Sequence, residues 1–249
     1  MTAGCGGSAQ AGGASGGTGR RTDGKGSLTL NVGDQKGGAE ALLRTAGELD
    51  DLPYKIKWST FTSGSPLLEA VNAGAVDVGA VGNTPPVFAA AANSKIKVIA
   101  ADHSRSDGEA ILVKKGPPLR KPADLKGRSI AVAQGSSANY QLVASLKKAG
   151  LPPKDVKLTH LQPADALAAF SRGKVDAWEI WDPFTAQALD QADARVLTTG
   201  QGVVIGLSFQ VAAPAALDDK KKSGTFVDPR FNGDLPPSGT APRTYGKAS

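Results

Sequence analysis

The chain has 249 residues, of which 40% are hydrophobic and 21% are charged, and its formal net charge is +6. This composition is typical of a globular protein with a core, and the length fits one large α/β domain or two units of roughly 100 residues. Nucleic-acid binding is disfavoured, because the basic residues are scattered and aromatic residues make up only 5% of the chain. A single cysteine and two histidines rule out an intrachain disulfide and leave little for a zinc site.

Residues 1–26 consist mainly of Gly, Ala, Ser and Thr, which offer almost nothing to bury, so we predict a disordered linker there. Cys5 lies among small residues in this segment. The arrangement resembles the end of a bacterial lipoprotein signal, in which the cysteine is lipidated and a flexible tether follows. We therefore predict lipidation of Cys5, with a lone thiol in a tail as the alternative. The charged and apolar parts of such a signal are missing, so we expect the sequence to start inside the true signal peptide or to have been cut there.

Strands and helices are predicted to alternate along most of the chain. Short apolar or alternating runs predict strands at 28–32, 54–61, 76–81, 96–101, 110–114, 129–133, 156–161 and 175–180. Apolar residues at helical spacing predict helices at 39–49, 66–73, 86–92, 139–149 and 163–172. This alternation predicts open α/β sheets with buried parallel strands, which bind ligands at the carboxyl ends of the strands.

Two stretches of similar construction follow each other, at 27–103 and 110–200. In each, a predicted helix precedes the pattern G-x-V-D, which begins at Gly74 in the first stretch and at Gly173 in the second. We therefore expect two lobes that face each other across a groove, with a late strand that returns the chain to the first lobe. The predicted limits are 27–103 plus 207–217 for lobe 1, 104–206 for lobe 2 and 218–249 for an atypical tail of disorder-like composition.

Four polar turns follow predicted strands and should converge on the groove. They lie at 33–38, 82–86, 134–139 and 178–184. The first three are rich in Gly, Ser, Thr and Asn, and the fourth contains Trp and Pro. Turns of this kind present backbone N–H groups and hydroxyls at positive helix ends, which suits the capture of a small oxyanion. Catalysis has little support, because neither histidine lies in a motif and the sequence has no nucleophile elbow or Walker loop. We therefore predict a binding protein with no cofactor rather than an enzyme.

Two of these turns supply the first candidate ligand-binding residues. Ser136 and Ser137 precede a predicted helix, where a hydroxyl and backbone N–H groups can bind an oxyanion without a formal cation. The alternative is a plain N-cap role, which would use one serine rather than two. Asn83 and Thr84 precede Pro85, and proline at the first helical position leaves the preceding N–H groups available to an anion.

The chain resembles the periplasmic substrate-binding proteins of ABC importers, in the branch that binds aliphatic sulfonates, taurine and nitrate. The resemblance covers residues 28–217. The motifs that carry it are Gly33-x-Gln35-Lys36-x-Gly38, Leu68-Glu69-Ala70 with Gly74 and Asp77, Gly82-x-x-Pro85-Pro86, Asp124-Leu125-Lys126-Gly127, Gly135-Ser136-Ser137-x-Asn139, Pro163-Ala164-Asp165-Ala166 and Asp176-Ala177-Trp178-x-Ile180-Trp181-Asp182-Pro183-Phe184.

The resemblance implies a two-lobed Venus-flytrap fold of type II with two hinge crossings, near 102–109 and 202–208. It also implies that a ligand is clamped in the groove and handed to a membrane permease by a monomeric, extracytoplasmic protein. A nitrate receptor and a receptor for a thiamine-pyrimidine precursor are the alternatives within binding proteins. An enzyme of pyrimidine-precursor biosynthesis shares the architecture, but it would be expected to carry His or Cys in the groove.

The resemblance also suggests roles for single residues around the groove. Gln35 is expected to face the groove, where its amide could donate to a sulfonate oxygen, and the alternative is an ordinary turn residue. Ser63 and Gly64 occupy another turn at a strand end, where Gly64 would allow close approach of the backbone.

The last turn could supply an aromatic side chain that walls the groove. Two acidic side chains near the groove could bind a cationic group of a ligand. Trp178 and Trp181 fall on opposite faces of a strand, so one indole is expected to wall the groove while the other packs in the core, and we assign the wall to Trp178. Glu109 and Asp182 could accept from a ligand ammonium, although a structural cap is the preferred interpretation of Asp182, since Asp-Pro commonly starts a turn.

The resemblance fails after Leu217. Family members continue for about a hundred further residues that complete the first lobe, whereas residues 223–249 show neither helical nor strand periodicity. Our hypothesis is a frameshift or a decayed gene copy, which would leave apolar surface exposed on the first lobe.

Overall fold

The computed structural model describes residues 28–50, 52–104, 106–116 and 119–226. The predicted linker, Cys5 and most of the predicted tail therefore lie outside the described residues. The strands are β1 Thr29–Gln35, β2 Lys55–Phe61, β3 Val78–Gly82, β4 Lys97–Ser104, β5 Glu109–Lys114, β6 Ser129–Val132, β7 Lys157–His160, β8 Ala177–Trp181, β9 Ala194–Thr199 and β10 Gly206–Ala212. The α-helices are α1 Ala39–Ala46, α2 Gly64–Asn72, α3 Pro85–Ala91, α4 Ser137–Lys148, α5 Pro163–Ser171, α6 Phe184–Gln191, α7 Pro214–Asp218 and α8 Lys220–Ser223.

The strands form two five-stranded sheets, in the orders β2-β1-β3-β10-β4 and β7-β6-β8-β5-β9. In the first sheet β1 runs parallel to β2 and β3, and in the second β6 runs parallel to β7 and β8. The chain crosses from the first sheet to the second between β4 and β5 and returns between β9 and β10. The predicted fold, two open α/β sheets joined by two crossings, is confirmed. The numerical limits of the lobes stay a prediction.

The repeated G-x-V-D pattern has the same structural role in both sheets. Asp77 accepts a hydrogen bond of 2.8 Å from the backbone N–H of Asn31, and Asp176 accepts one of 2.8 Å from the backbone N–H of Ser129. Asp77 therefore ties the turn before β3 to β1, and Asp176 ties the turn before β8 to the beginning of β6. A short carboxylate that accepts backbone N–H groups is well suited to this, because charge-assisted hydrogen bonds are stronger than neutral ones.

Helix α1 shows how local sequence sets the bounds of an element. The sequence pattern predicted a helix as far as residue 49, but α1 ends at Ala46 because Gly47 adopts a left-handed conformation with φ of 74°. Glycine adopts this conformation without steric cost, and its N–H satisfies carbonyls of the last turn.

The core is organised differently in the two halves. Apolar residues of the first half form one cluster around Leu30, Leu67 and Val211. Those of the second half form two clusters, one on each face of the sheet, built around Trp178 and around Leu142. The sheet of the second half is therefore covered on both faces, as a mostly parallel sheet requires.

The tail predicted to begin at residue 218 needs a correction over 218–226. Here the structure has helix α8, whose first turn is capped by Asp219 Oδ1, which accepts from the N–H groups of Lys221 and Lys222. Phe226 is buried in the core of the first half, and Lys222 Nζ lies 2.8 Å from Asp77 Oδ1. Composition suggested disorder, but one buried aromatic ring and one partly buried ion pair fix this segment. Within the described part of the chain, no helix is both long and apolar enough to cross a membrane.

Candidate functional site

A polar cleft of about 170 Å³ lies between the two sheets. Its lining consists of four residues from the first half and four from the second, namely Gln35, Gly64, Gly82, Pro85, Glu109, Ser136, Ser137 and Trp181. A larger groove of about 380 Å³ lies between α2 and α3, but its lining is mainly apolar and comes from the first half alone. The cleft between the halves is therefore the better candidate, because it gathers convergent polar groups from both.

The cleft lies where the sequence pattern placed it, at the carboxyl ends of strands. Gln35 ends β1, Gly82 ends β3 and Trp181 ends β8, while Gly64 begins α2 and Ser137 begins α4. Because parallel strands of one sheet end at the same edge, turns that are far apart in sequence meet there.

Ser136 is the N-cap residue of α4. Its hydroxyl accepts from the backbone N–H of Asn139 at 3.1 Å and donates to the carbonyl oxygen of Ala133 at 2.6 Å. The plain N-cap role considered for one of the two serines is thus present in Ser136. Ser137 is the serine whose hydroxyl is directed to another side chain of the cleft.

Ser137 and Glu109 form a hydrogen-bonded pair in the second half. The hydroxyl of Ser137 donates to Glu109 Oε1, and the carbonyl oxygen of Glu109 accepts from Nε2 of Gln141 at 3.1 Å. Burial raises the pKa of the Glu109 carboxyl, and the hydrogen bond from Ser137 lowers it by less. Glu109 is the one titratable side chain among the described residues that line the cleft.

Gln35 faces the cleft from the first half, as predicted. Its Nε2 donates to the carbonyl oxygen of Ala80 at 3.3 Å, a long bond that a stronger acceptor could displace. Gly64 permits close packing beside it, since a Cβ at this position would lie 2.7 Å from Cγ of Pro85.

The indole that lines the cleft is that of Trp181, which corrects the prediction for Trp178. Trp178 is fully buried, and its ring lies 6.2 Å from the rings of both Phe170 and Phe184. The alternation of side chains along the strand allowed either tryptophan to line the cleft. Trp178 is the buried one because its ring packs against Phe170 of α5 and Phe184 of α6. Trp181 lies on the opposite face, at the end of β8.

Four other predicted residues are not among the lining residues of the cleft. Asp182 Oδ1 accepts from the backbone N–H of Ala186 at 3.2 Å and so caps α6, in line with the structural interpretation. Asn83 Oδ1 accepts from the hydroxyl of Thr84 at 2.8 Å. Ser63 is buried as the N-cap residue of α2.

Gly82, Pro85 and Trp181 line the cleft but were not predicted as ligand contacts, although all three occur in the motifs. For Gly82 and Pro85 the usable signal was their place at the end of a buried strand before a helix. A further missed feature is Lys36, whose Nζ lies 2.9 Å from Gln187 Oε1 and 4.6 Å from the ring centroid of Phe184. Lys36 therefore reaches from the first half to α6 of the second.

A buried acid lies behind the cleft. Glu179 on β8 is fully buried, and burial, followed by the charge of Glu109, raises its pKa well above the usual value. Its two carboxyl oxygens have no hydrogen-bond partner among the described residues. No group of three or more His, Cys, Asp or Glu side chains in this part of the chain is arranged as a metal site.

Two open α/β sheets, two crossings and a polar cleft between them define a two-lobed, periplasmic-binding-protein-like fold of type II. The chain belongs to the NMT1-like family, whose model matches residues 31–208.

The chain is similar in sequence and in structure to proteins named for the sulfonates that they bind. The chain is 40% identical over 202 residues to the aliphatic sulfonates-binding protein of Escherichia coli (strain K12) and 36% identical over 148 residues to the taurine-binding periplasmic protein of the same strain. These matches cover 80% and 59% of this chain. In structure, it resembles the alkanesulfonate-binding protein SsuA from Xanthomonas axonopodis pv. citri bound to MOPS, with a TM-score of 0.74, 35% identity and coverage of 83% of this chain and 72% of that one. All three are binding proteins by name, in agreement with the prediction that this chain is not an enzyme.

The matches span only part of the curated relatives. They cover 62% of the E. coli aliphatic sulfonates-binding protein and 45% of the taurine-binding protein.

Proposed function

We propose that the chain is the solute-binding component of an ABC importer and that its cleft binds an aliphatic sulfonate. The observation that carries this proposal is the cleft itself, in which Gln35 of the first lobe faces Ser136 and Ser137 at the N-terminus of α4 in the second. The named relatives support the ligand class, since two of the three are sulfonate binders by name and the third binds taurine, an aminosulfonate.

The sulfonate group is assigned to the N-terminus of α4. This helix has 12 residues, and its first N–H groups and positive end favour an anion. The Ser137 hydroxyl and the Gln35 amide add side-chain donors from the two lobes. A delocalised oxyanion can be held in this way by neutral donors alone.

The alkyl part of the ligand is assigned to Trp181. The Trp181 indole and the ring of Pro85 give the cleft an apolar portion next to its polar one. Nitrate and sulfate have no group that would use this portion, which is why we favour an organic sulfonate over the nitrate alternative. The described residues that line the cleft include neither the His nor the Cys that the enzyme alternative would be expected to carry there.

Closure of the lobes is the proposed mechanism. A ligand that contacts both lobes shifts the equilibrium toward the closed state by its difference in affinity for the two states. Release to a membrane permease would require the reverse motion. Contacts already reach across the cleft, through Lys36 to α6 and through Gly82 to Ser137.

The remaining roles rest on the family resemblance. We propose an extracytoplasmic, monomeric protein that delivers its ligand to a permease, with Cys5 as the site of a lipid anchor. The lobes are proposed to divide at 27–103 plus 207–217 and 104–206, so that the crossings act as hinges.

Thermal unfolding of the full chain with ethanesulfonate, taurine, nitrate or sulfate tests this function. A ligand at 100 times its dissociation constant stabilises the folded state by about 2.7 kcal/mol, so a specific ligand must raise the midpoint. The buffer must be free of sulfonates. We expect a rise with ethanesulfonate and taurine but not with sulfate; a rise with nitrate or sulfate alone, or with none of the four, would contradict the proposal.

A further inference from the structure

The charge of the cleft does not match a simple anion. No Lys or Arg occurs among the described residues that line it, and Glu109 is an acid. An ionised Glu109 would repel a sulfonate held at Ser137, because the two would lie within a few ångströms of each other in a partly buried site where charges are poorly screened. Either Glu109 loses its charge or the ligand supplies a cation.

Among the described residues of the second lobe, the groups around Glu109 include no cation. Residue 109 pairs with Trp181 and residue 111 with Glu179, so Glu109 and Glu179 are diagonal neighbours on adjacent strands. Helix α4 presents the uncharged Ser137 and Gln141, and the neighbouring end of β9 presents threonines.

The described residues with which the first lobe lines the cleft present no cation to this carboxyl either. They are the uncharged Gln35, Gly64, Gly82 and Pro85. Lys36 follows Gln35, but its ammonium is directed to Gln187 and Phe184 on α6.

The region behind Glu109 cannot take up negative charge. Glu179 is fully buried, and neither of its carboxyl oxygens has a hydrogen-bond partner among the described residues. Oε1 of Gln141 and Oγ of Ser145 are also buried without a hydrogen-bond partner there. Burial and the neighbouring Glu109 raise the pKa of Glu179 well above its usual value. A fully buried carboxyl without a hydrogen-bond donor favours its neutral form, so we place the negative charge of the pair on Glu109.

We propose that a sulfonate without a cationic group binds to the cleft together with one proton, which Glu109 takes up, whereas an aminosulfonate binds without it. This inference rests on the proposed function and specifies how the same site handles charge. The proton comes from the solvent and adds to the Glu109 carboxylate, which becomes a neutral acid. With an aminosulfonate the ligand's own ammonium pairs with the ionised carboxylate.

Protonation also changes the hydrogen bonding of Ser137. In the structure the Ser137 hydroxyl donates a hydrogen bond to Glu109 Oε1. A neutral Glu109 has an O–H of its own to donate, so the Ser137 hydroxyl is released to donate to a sulfonate oxygen. The proton therefore removes a repulsive charge and frees a donor at the same time.

The coupling predicts different pH profiles for two ligands of one site. Above the pKa of Glu109, the affinity for ethanesulfonate falls about tenfold for each pH unit, because one proton must be bound with each ligand. The affinity for taurine stays nearly constant until its ammonium group loses its proton. The two ligands thus change rank as the pH rises.

Titration calorimetry of the full chain in two sulfonate-free buffers, phosphate and imidazole at pH near 7, tests the coupling. The difference in observed heat between the buffers gives the number of protons taken up. We expect about one proton for ethanesulfonate and about none for taurine when Glu109 starts ionised. If ethanesulfonate binds and no proton uptake is found anywhere between about pH 6 and about pH 8, the inference is wrong while the proposed function stands. If neither ligand binds, the proposed function itself is wrong.

Three variants assign the proton. Glu109→Gln should bind ethanesulfonate with no proton uptake and with a flat pH profile. Glu179→Gln should retain the uptake, as should Asp165→Asn, which changes an exposed carboxyl of the same lobe. If uptake persists in Glu109→Gln and disappears in Glu179→Gln, the assignment to Glu109 is wrong. If a variant fails to fold, the number of protons taken up by the wild type, measured in the two buffers, still tests the inference.

Discussion

Gly82 and Ser137 meet across the cleft with no room for a side chain at residue 82. A Cβ at Gly82 would lie 2.9 Å from both Cβ and Oγ of Ser137. Gly82 ends β3 in the first lobe, and Ser137 begins α4 in the second. The two lobes can therefore approach at this point only because residue 82 is a glycine.

Gly82→Ala should weaken ligand binding without unfolding the protein. The added methyl group would hold the lobes slightly apart, and such an overlap costs about 1–3 kcal/mol, which corresponds to an increase of about 5-fold to about 150-fold in the dissociation constant. The check is calorimetric titration with ethanesulfonate. Its control is the unfolding midpoint without ligand, which should stay near that of the wild type; unchanged affinity would show that closure does not bring these residues together.

Lys36→Ala should also weaken binding, by loosening the contact between the first lobe and α6. The ammonium makes a hydrogen bond of 2.9 Å to Gln187 and lies 4.6 Å from the ring centroid of Phe184. Loss of an exposed cation–π contact and a hydrogen bond of this kind costs about 1 kcal/mol, or about fivefold in affinity. Lys57→Ala removes an exposed lysine of the same lobe and is the matched control. Equal effects of the two substitutions would count against a bridging role for Lys36.

The two tryptophans of β8 should separate stability from binding. Trp178→Ala removes a fully buried ring and should lower the free energy of unfolding by about 3–5 kcal/mol. Trp181→Ala should cost less stability but abolish most of the preference for longer alkanesulfonates, because its indole lines the cleft. Urea unfolding and titration with a series of alkanesulfonates measure both effects. The reverse pattern would restore Trp178 as the wall of the cleft.

Glu179 should make the protein less stable as the pH rises. Its pKa is raised in the folded state, so above the pKa of the unfolded chain the folded state binds more protons, and stability falls with rising pH. From about pH 5 to about pH 8 the unfolding midpoint of the wild type should fall more steeply than that of Glu179→Gln, which cannot titrate at this position. Parallel profiles of the two proteins would mean that Glu179 has an ordinary pKa.

Periodicity and turn chemistry predict most of this fold. The alternation of strands and helices, the polar turns at the strand ends and the equivalence of the two G-x-V-D segments follow from local patterns that the structure retains. Helix α6 and strand β9 were not predicted, and the pattern does not distinguish Trp178 from Trp181. These features depend on which rings and strands of the same lobe pack together, and a local pattern does not contain that information.

The site is less predictable than the fold for a similar reason. Strand ends identify Gln35, Gly64, Ser136 and Ser137 as neighbours of the cleft, because each of them closely follows a predicted strand. The pairing of Glu109 with Ser137 and the isolation of Glu179 depend on side chains of three elements at once. The same limit applies to residues 218–226, where composition resembles a tail but Phe226 is buried.

The dissociation constant of ethanesulfonate, measured by titration calorimetry on the full chain and on Ser137→Ala, tests the central claim most directly. Ser171→Ala, an exposed serine of the same lobe, is the control. We expect saturable binding of one ethanesulfonate per chain, weakened about tenfold or more in Ser137→Ala because a hydrogen bond to a charged group is lost, and unchanged in Ser171→Ala. The absence of saturable binding, or equal binding by all three proteins, would contradict the account.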